Sequence, residues 1–255
     1  MSKLTDKTIW IVGASSGIGL ELAQRYARDG NRVAISARSE DKLRDIAEAA
    51  ARLHPYPLDV TDNDKVLETV AGIRDGVGEI DVAILCAAVW HMTDVIDLTV
   101  DQARQALEIN VLGVYQAVLA LLPAMRARGE GHIVIVASVA GYRGLPKSGA
   151  YGPTKAALIN LAETLNAELH QFGIRVSVVN PGFVDTPMTA DNPFPMPGMV
   201  SAERAAREIM AGVAKGKFEI TFPCLFAMAM KLLRALPDPV YFWVLRRFMV
   251  EERSA

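Results

Sequence analysis

Short apolar runs alternate with amphipathic stretches along most of this chain. Residues 8–13 (TIWIVG), 32–37 (RVAISA), 56–60 (YPLDV), 80–87 (IDVAILCA), 132–137 (HIVIVA), 173–181 (GIRVSVVNP) and 217–222 (KFEITF) read as strands. Near-continuous apolar runs of this length suit strands buried on both faces of a parallel sheet. Between them, residues 20–28, 40–53, 62–75, 103–128, 151–172 and 201–215 carry helical patterns. Pro153 is tolerable near the start of its helix, where no intrahelical N–H bond is lost. Ser201 stands as an N-cap ahead of an acidic first turn. Strand and helix alternating at this spacing predict an α/β fold, a doubly wound parallel sheet.

Two stretches break the rhythm. Residues 187–200 hold four prolines and three methionines, too many prolines for a regular helix. They read either as a mobile lid over a site or as a long surface connection. Residues 223–250 are apolar and aromatic, with Lys231, Arg234, Arg246 and Arg247 interspersed, and Pro237 and Pro239 divide two short helical patterns. The organisation expected is therefore one α/β domain over residues 1–222 and an apolar extension over 223–255. Three readings of the extension stay open. It roofs an apolar pocket, packs on a second subunit, or lies peripherally on a membrane surface, where basic residues flank an apolar face.

Composition narrows the function classes. The chain has 255 residues, 51% hydrophobic and 22% charged, which suits one large α/β domain. A formal net charge of −2 gives no basic character to suggest nucleic acid. Two cysteines, Cys86 and Cys224, make no disulfide framework and point to a reducing compartment, so a cytoplasmic location is expected. His54, His91, His132 and His170 are scattered without metal-ligand spacing, so no metal is expected. Residues 1–13 lack the apolar core of a secretory signal. No apolar run approaches the length needed to span a bilayer.

Chemistry gathers in three places. Gly13-Ala-Ser15-Ser16-Gly17-Ile18-Gly19 joins a strand to a helix. Glycines there let backbone approach a pyrophosphate closely, and the helix N-terminus offers free N–H groups. Where dinucleotide folds place a ribose-binding acid after the second strand, this chain has Ser36-Ala37-Arg38. Arg38 suits a 2′-phosphate and favours NADP(H) over NAD(H). Third, the apolar run 132–137 leads through Ser138 and a glycine-rich turn to Tyr151 and Lys155. Residues four apart share a helix face. An ammonium group beside a phenol favours the phenolate, so Lys155 is expected to pull Tyr151 down towards use as a general acid or base. Ser138 can donate to a substrate oxygen. Asn110, inside an apolar helical pattern, is either a satisfied core group or a site residue.

These residues together resemble the short-chain dehydrogenase/reductase family, over about residues 7–222. The resemblance rests on Gly13-xxx-Gly17-x-Gly19, Asp59-Val60, Asn110, Ser138, Tyr151-xxx-Lys155, and Asn180-Pro181-Gly182 with Thr186. It implies a Rossmann-like sheet of seven parallel strands with helices on both faces. It also implies hydride transfer between a nicotinamide cofactor and an alcohol or carbonyl. Tyr151 would exchange the proton with the substrate oxygen, and Ser138 would orient that oxygen. Lys155 would lower the Tyr151 pKa and bond the nicotinamide ribose. Asn110 would hold a relay water. By the same resemblance Asp59 and Val60 lie at the adenine, Ala87 passes the cofactor, and Gly182, Val184 and Thr186 lie near the carboxamide. A homodimer or homotetramer is implied, built through the helices at 103–128 and 151–172.

One departure stands out. The family's Asn-Asn-Ala-Gly after the fourth strand is Leu85-Cys86-Ala87-Ala88 here. The bracing Asn side chains are lost, and Cys86 reads as a buried, inert thiol. The function expected is an NADP(H)-dependent oxidoreductase acting on a small, lipophilic carbonyl or alcohol. The alternatives are a non-catalytic NADP-binding or sensing protein, and an NAD-dependent alcohol dehydrogenase.

Overall fold

The computed structural model describes residues 4–190, 192 and 195–248. Part of the proline-rich stretch and the last residues of the extension, 249–255, lie outside the described residues. Nine strands are labelled in chain order: β1 (Thr8–Val12), β2 (Arg32–Ser36), β3 (Leu53–Pro55), β4 (Val82–Leu85), β5 (Gly131–Val136), β6 (Ile174–Pro181), β7 (Val184–Asp185), β8 (Val200–Ser201) and β9 (Glu219–Phe222). Seven form one parallel sheet in the order β3-β2-β1-β4-β5-β6-β9.

Side-chain alternation along each strand divides the core into two layers. Trp10 and Val12 of β1 face one layer, closed by helices α3 (Asn63–Gly76), α5 (Gly113–Arg128) and α6 (Tyr151–Leu169). Ile9 and Ile11 face the other, closed by α1 (Gly17–Arg28), α2 (Glu40–Glu48) and α7 (Ala202–Ala214). Strand order reverses between β1 and β4, and a crevice opens beyond the strand C-termini at such a point.

Two expectations need correction. Helix α2 stops at Glu48, and the third strand is Leu53–Pro55 rather than residues 56–60. Pro55 and Pro57 carry no N–H and cannot extend a ladder. Residues 56–58 still run beside β2 by two single bonds, Tyr56 N–H to the Ile35 carbonyl and Leu58 N–H to the Ala37 carbonyl.

The helix expected at 103–128 begins earlier, as α4 (Val100–Leu107). Thr99 and Gln102 form a capping box there, each side chain accepting from the other's backbone N–H. A π-turn, Glu108–Leu112, then joins α4 to α5. Among the described residues this run, Val100–Arg128, is long and apolar enough by composition to cross a membrane, contrary to the sequence reading. It is seated on the sheet, with Val114, Ala117, Val118, Leu121 and Met125 buried.

The proline-rich stretch is pinned at its ends, because β7 pairs with β8. The extension forms two short helices as its pattern predicts, α8 (Cys224–Ala235) and α9 (Asp238–Phe248), both seated on the chain's own α/β layer. Arg143 holds this seat. It donates to the carbonyls of Leu233, Arg234 and Leu236, pairs with Asp238, and stacks 3.8 Å from the Tyr241 ring centroid. These carbonyls lie at the end of α8, where the helix leaves its last C=O groups short of partners, and that of Leu233 also accepts from the Leu236 N–H. Lys231 of α8 meets Glu219 of β9, which also accepts from Asn180 and Tyr142. Burial alone would raise the Glu219 pKa, but these bonds win and hold it below its usual value. The outward side of α8 and α9 stays apolar, with Leu225, Met228, Leu232 and Trp243 exposed.

Candidate active site

The turn after β1 is built by two backbone approaches that no side chain permits. Gly13 has φ +88°, and a Cβ there would stand 2.6 Å from the Ala87 nitrogen. A Cβ on Gly19 would stand 2.2 Å from the Gly13 carbonyl oxygen. The N–H groups of Gly13 and Ala14 both donate to the Ser36 carbonyl, tying the turn to the end of β2. The N-terminus of α1 therefore faces the crevice, and the segment after β2 arrives beside it. Ser16 stands at the N-cap position without a side-chain cap bond. First-turn N–H groups of such a helix are open to an outside acceptor.

Ser138 ends the chain's run out of β5, and Tyr151 begins α6. The Ser138 hydroxyl accepts from Ala140 N–H at 3.1 Å and also bonds the Tyr151 phenol. Lys155, one turn further along α6, is 2% exposed and donates to the Val136 carbonyl at 2.9 Å. Its ammonium is 5.3 Å from the Tyr151 ring centroid. The Trp90 ring covers Tyr151 from the other side, with centroids 5.6 Å apart.

The electrostatics differ from the sequence expectation. Burial pushes the Tyr151 phenol well above its usual value, and the bond from Ser138 pulls part of that back. Lys155 does not dominate here. Burial acts on Lys155 itself and lowers it to about 8. The physical reason is desolvation, which disfavours whichever form is charged, so it moves an acid up and an ammonium down. Cys86 is half-buried in the cavity wall rather than fully buried, and desolvation pushes its thiol up to about 11.

Asn110 lies apart from the other candidate residues. It is fully buried at the π-turn and does not line the crevice. Its side chain accepts from Val89 N–H at 2.8 Å and donates to the Val89 carbonyl at 2.9 Å and the Thr154 hydroxyl at 3.1 Å. Those bonds engage both amide hydrogens and one lone pair of the amide oxygen. Asn110 instead braces the segment after β4, close to where Leu85-Cys86-Ala87-Ala88 lacks the expected Asn side chains.

The crevice is one cavity of about 910 Å³. Its lining brings together Gly13, Ser15, Ser16, Gly17, Ile18, Gly19, Arg38, Asp59, Val60, Ala87, Ser138, Tyr151, Lys155, Gly182, Val184 and Thr186. Thus every candidate cofactor-binding or catalytic residue named from the sequence meets at one place except Asn110, while Asn180 is buried and bonds Glu219 instead. At the far end, Asp59 accepts from Thr61 N–H and the Thr61 hydroxyl. These bonds, helped by the charge of Arg38, hold its carboxyl below the usual range. Arg38 is exposed and forms no ion pair among the described residues.

The cavity also has walls that no motif announced. Ser39 and Lys42 stand beside Arg38, with Lys42 one helical turn on, a spacing legible in the sequence. Trp90, Leu145, Lys147, Phe183 and Met188 line the other end. Phe226, Met230, Arg247 and Phe248 of α8 and α9 close over it. Of the three readings of the extension, the roof over a pocket is the one with contacts of this kind.

The model of the family described as short chain dehydrogenase matches residues 7–194. This chain belongs to the short chain dehydrogenase family. It is an oxidoreductase of a family that works with nicotinamide cofactors. A Myxococcus xanthus protein named only as an uncharacterized oxidoreductase is 36% identical over 251 residues, covering 97% of this chain and 99% of the relative. Among solved structures, a short-chain dehydrogenase from Streptomyces avermitilis aligns with TM-score 0.82 at 27% identity, over 97% of this chain and 100% of the other. An actinorhodin polyketide ketoreductase with NADPH aligns with TM-score 0.77 at 25% identity, over 85% of this chain and 95% of the other. The likeness to the first two extends through nearly the whole dehydrogenase, so their alignments span the α8–α9 region as well as the sheet.

Proposed function

We propose that this dehydrogenase interconverts a lipophilic carbonyl and its alcohol, using NADP(H) in preference to NAD(H). The observation that carries this reading is the single cavity with Ser138, Tyr151 and Lys155 in its wall and an unpaired Arg38 at its far end. The Gly13–Gly19 cradle fits a dinucleotide, because its backbone packs too closely for any Cβ and its helix N-terminus offers N–H groups to a pyrophosphate. Gly13, Ser15, Ser16, Gly17, Ile18 and Gly19 would hold the phosphates. Asp59, Val60 and Ala87 would flank the adenosine half, and Gly182, Val184 and Thr186 the nicotinamide half. When bound, the cofactor supplies or accepts a hydride at the substrate carbon.

The chain's own groups then manage the oxygen. Ser138 donates a hydrogen bond to it and orients it. Tyr151, kept neutral by burial, gives the proton during reduction and takes it back during oxidation. Lys155 supplies a positive charge beside Tyr151 and would bond the cofactor ribose. The walls of Trp90, Leu145, Phe183, Phe226 and Met230 favour an apolar substrate. Arg38, with Ser39 and Lys42 beside it, would take the 2′-phosphate as a charge-assisted pair.

Fluorescence titration with NADPH and NADH tests the cofactor assignment. Wild type should prefer NADPH. Arg38→Ala should weaken NADPH binding by about tenfold to a hundredfold, the worth of a charged hydrogen bond, and leave NADH within about threefold. Equal binding of both cofactors by wild type would overturn the preference.

A second expectation concerns pH. Below about 8 Lys155 keeps its proton, and above that value the free protein loses it. In the direction of carbonyl reduction, kcat/KM for NADPH reports groups of the free enzyme. It should fall as pH rises through about 8. Lys155→Arg stays charged throughout and should remove that limb. A wild-type profile flat from pH 6 to 10 would count against this role of Lys155.

A further inference from the structure

We infer that the substrate end of the cavity takes an amphiphile with an acidic headgroup, gripped by Lys147 and Arg247. This rests on the carbonyl–alcohol reading above and names the substrate class for that site. The six charged residues lining the cavity divide by position in the fold. Arg38, Lys42 and Asp59 belong to the segments that follow β2 and β3. Lys155 sits beneath Tyr151. Two remain, Lys147 before α6 and Arg247 near the end of α9, and both are cationic. No carboxylate among the described lining residues stands at this end.

The rest of this wall is apolar, formed by Trp90, Leu145, Phe183, Met188, Phe226 and Phe248. Lys147 is half-buried and Arg247 exposed, so both cationic heads are open to an anionic group, and hydrogen bonds between ionised partners are the strong ones. A few charged groups placed in a mostly apolar pocket are what orients a bound molecule.

The backbone at Lys147 adds a separate observation. Its φ is +57°, and only Asp6 shares a positive φ among the described non-glycine residues. Asp adopts this region readily through its short polar side chain, whereas Lys has no such help. The neighbouring Ser148 is buried and bridges to Thr93, next to the Trp90 segment. That bridge ties down the loop where Lys147 holds its left-handed conformation. Residues kept in such conformations by their surroundings cluster at ligand clamps. A neutral lipophile would use the apolar wall and leave both cations unpaired. An acidic amphiphile uses both features.

The test is ligand binding read by tryptophan fluorescence in a Trp243→Phe background, so that the exposed tryptophan does not contribute. The probes are decanoate, decyl phosphate and decan-1-ol, with NADPH present and absent. The first two separate a carboxylate from a phosphate headgroup. At least one acid should bind about tenfold more tightly than the alcohol, the worth of a charge-assisted pair. Lys147→Asn accepts the same backbone conformation while removing the charge and the long stem that carries it. It should bring the acid to within about threefold of the alcohol, and Arg247→Gln should do so in part. Equal binding of acid and alcohol by the parent protein would overturn the inference. So would an acid preference that survives both substitutions. Reduction of decan-2-one with NADPH is measured in parallel. Its absence would count against the carbonyl–alcohol reading, whereas the headgroup preference is read from binding alone.

Discussion

Tyr151→Phe is expected to reduce carbonyl turnover by about 10²- to 10⁴-fold, the range removed with a positioned general acid. NADPH affinity should stay within about threefold. The substitution removes one oxygen and keeps the ring that packs against Trp90 at 5.6 Å. The loss should therefore fall on the proton rather than on the cavity's shape. Ser138 keeps its bond from Ala140 N–H, so the loop before α6 has no reason to move. Steady-state kinetics at saturating NADPH, beside a fluorescence titration of the same sample, checks both halves. Turnover above about a tenth of wild type would mean that another group moves the proton and that the Tyr151 assignment is wrong.

Gly19→Ala is expected to weaken NADPH binding by about a hundredfold and to lower the melting temperature by several degrees. The added Cβ would stand 2.2 Å from the Gly13 oxygen and 2.9 Å from its carbonyl carbon. These are backbone atoms of a turn already tied to Ser36 by two hydrogen bonds, so relief requires the turn itself to open. Overpacking of this kind costs about 1–3 kcal/mol, and the same opening withdraws the first N–H groups of α1 from a phosphate. Gly30 is the control. It has φ +90° but open space where a Cβ would go, so Gly30→Asn should be tolerated and leave binding unchanged. Thermal melts with and without NADPH distinguish the two effects. If Gly19→Ala bound NADPH as wild type does, the turn would not be the phosphate cradle.

Much of this protein was legible from its residues because the relevant signals are local. The five core strands at β1, β2, β4, β5 and β6 are apolar runs, and burial on both faces of a parallel sheet leaves little else for such runs to do. The glycine spacing at 13, 17 and 19 reflects contacts within one turn, and Tyr151 with Lys155 reflects one helix face. Ser201 capping α7 was readable for the same reason, since a cap and its N–H donor, here Arg204, are three residues apart. Errors arose where a neighbour distant in sequence decided the outcome. The edge strand β3 was displaced because pairing with β2 begins at Leu53, and the prolines at 55 and 57 end it. The capping box at Thr99 was a local signal that was missed.

What the sequence by itself determined is the alternation of strand and helix, the close turn at Gly13 to Gly19, and the identity of Ser138, Tyr151, Lys155 and Arg38 as residues that meet at one cavity. Backbone periodicity and steric limits act over a few residues, so they are written in neighbouring letters. The tertiary structure alone decided three things. It assigned Asn110 to bracing Val89 rather than to the cavity, because a buried amide takes the partners that packing brings within reach. It set Tyr151 high and Lys155 low, because desolvation depends on everything packed around a group and outweighs the charge of one neighbour. It also brought α8 and α9 over the cavity, through Arg143 gripping the carbonyls at the end of α8 from ninety residues away. No spacing rule reaches that far, since such a contact exists only once the chain has closed on itself.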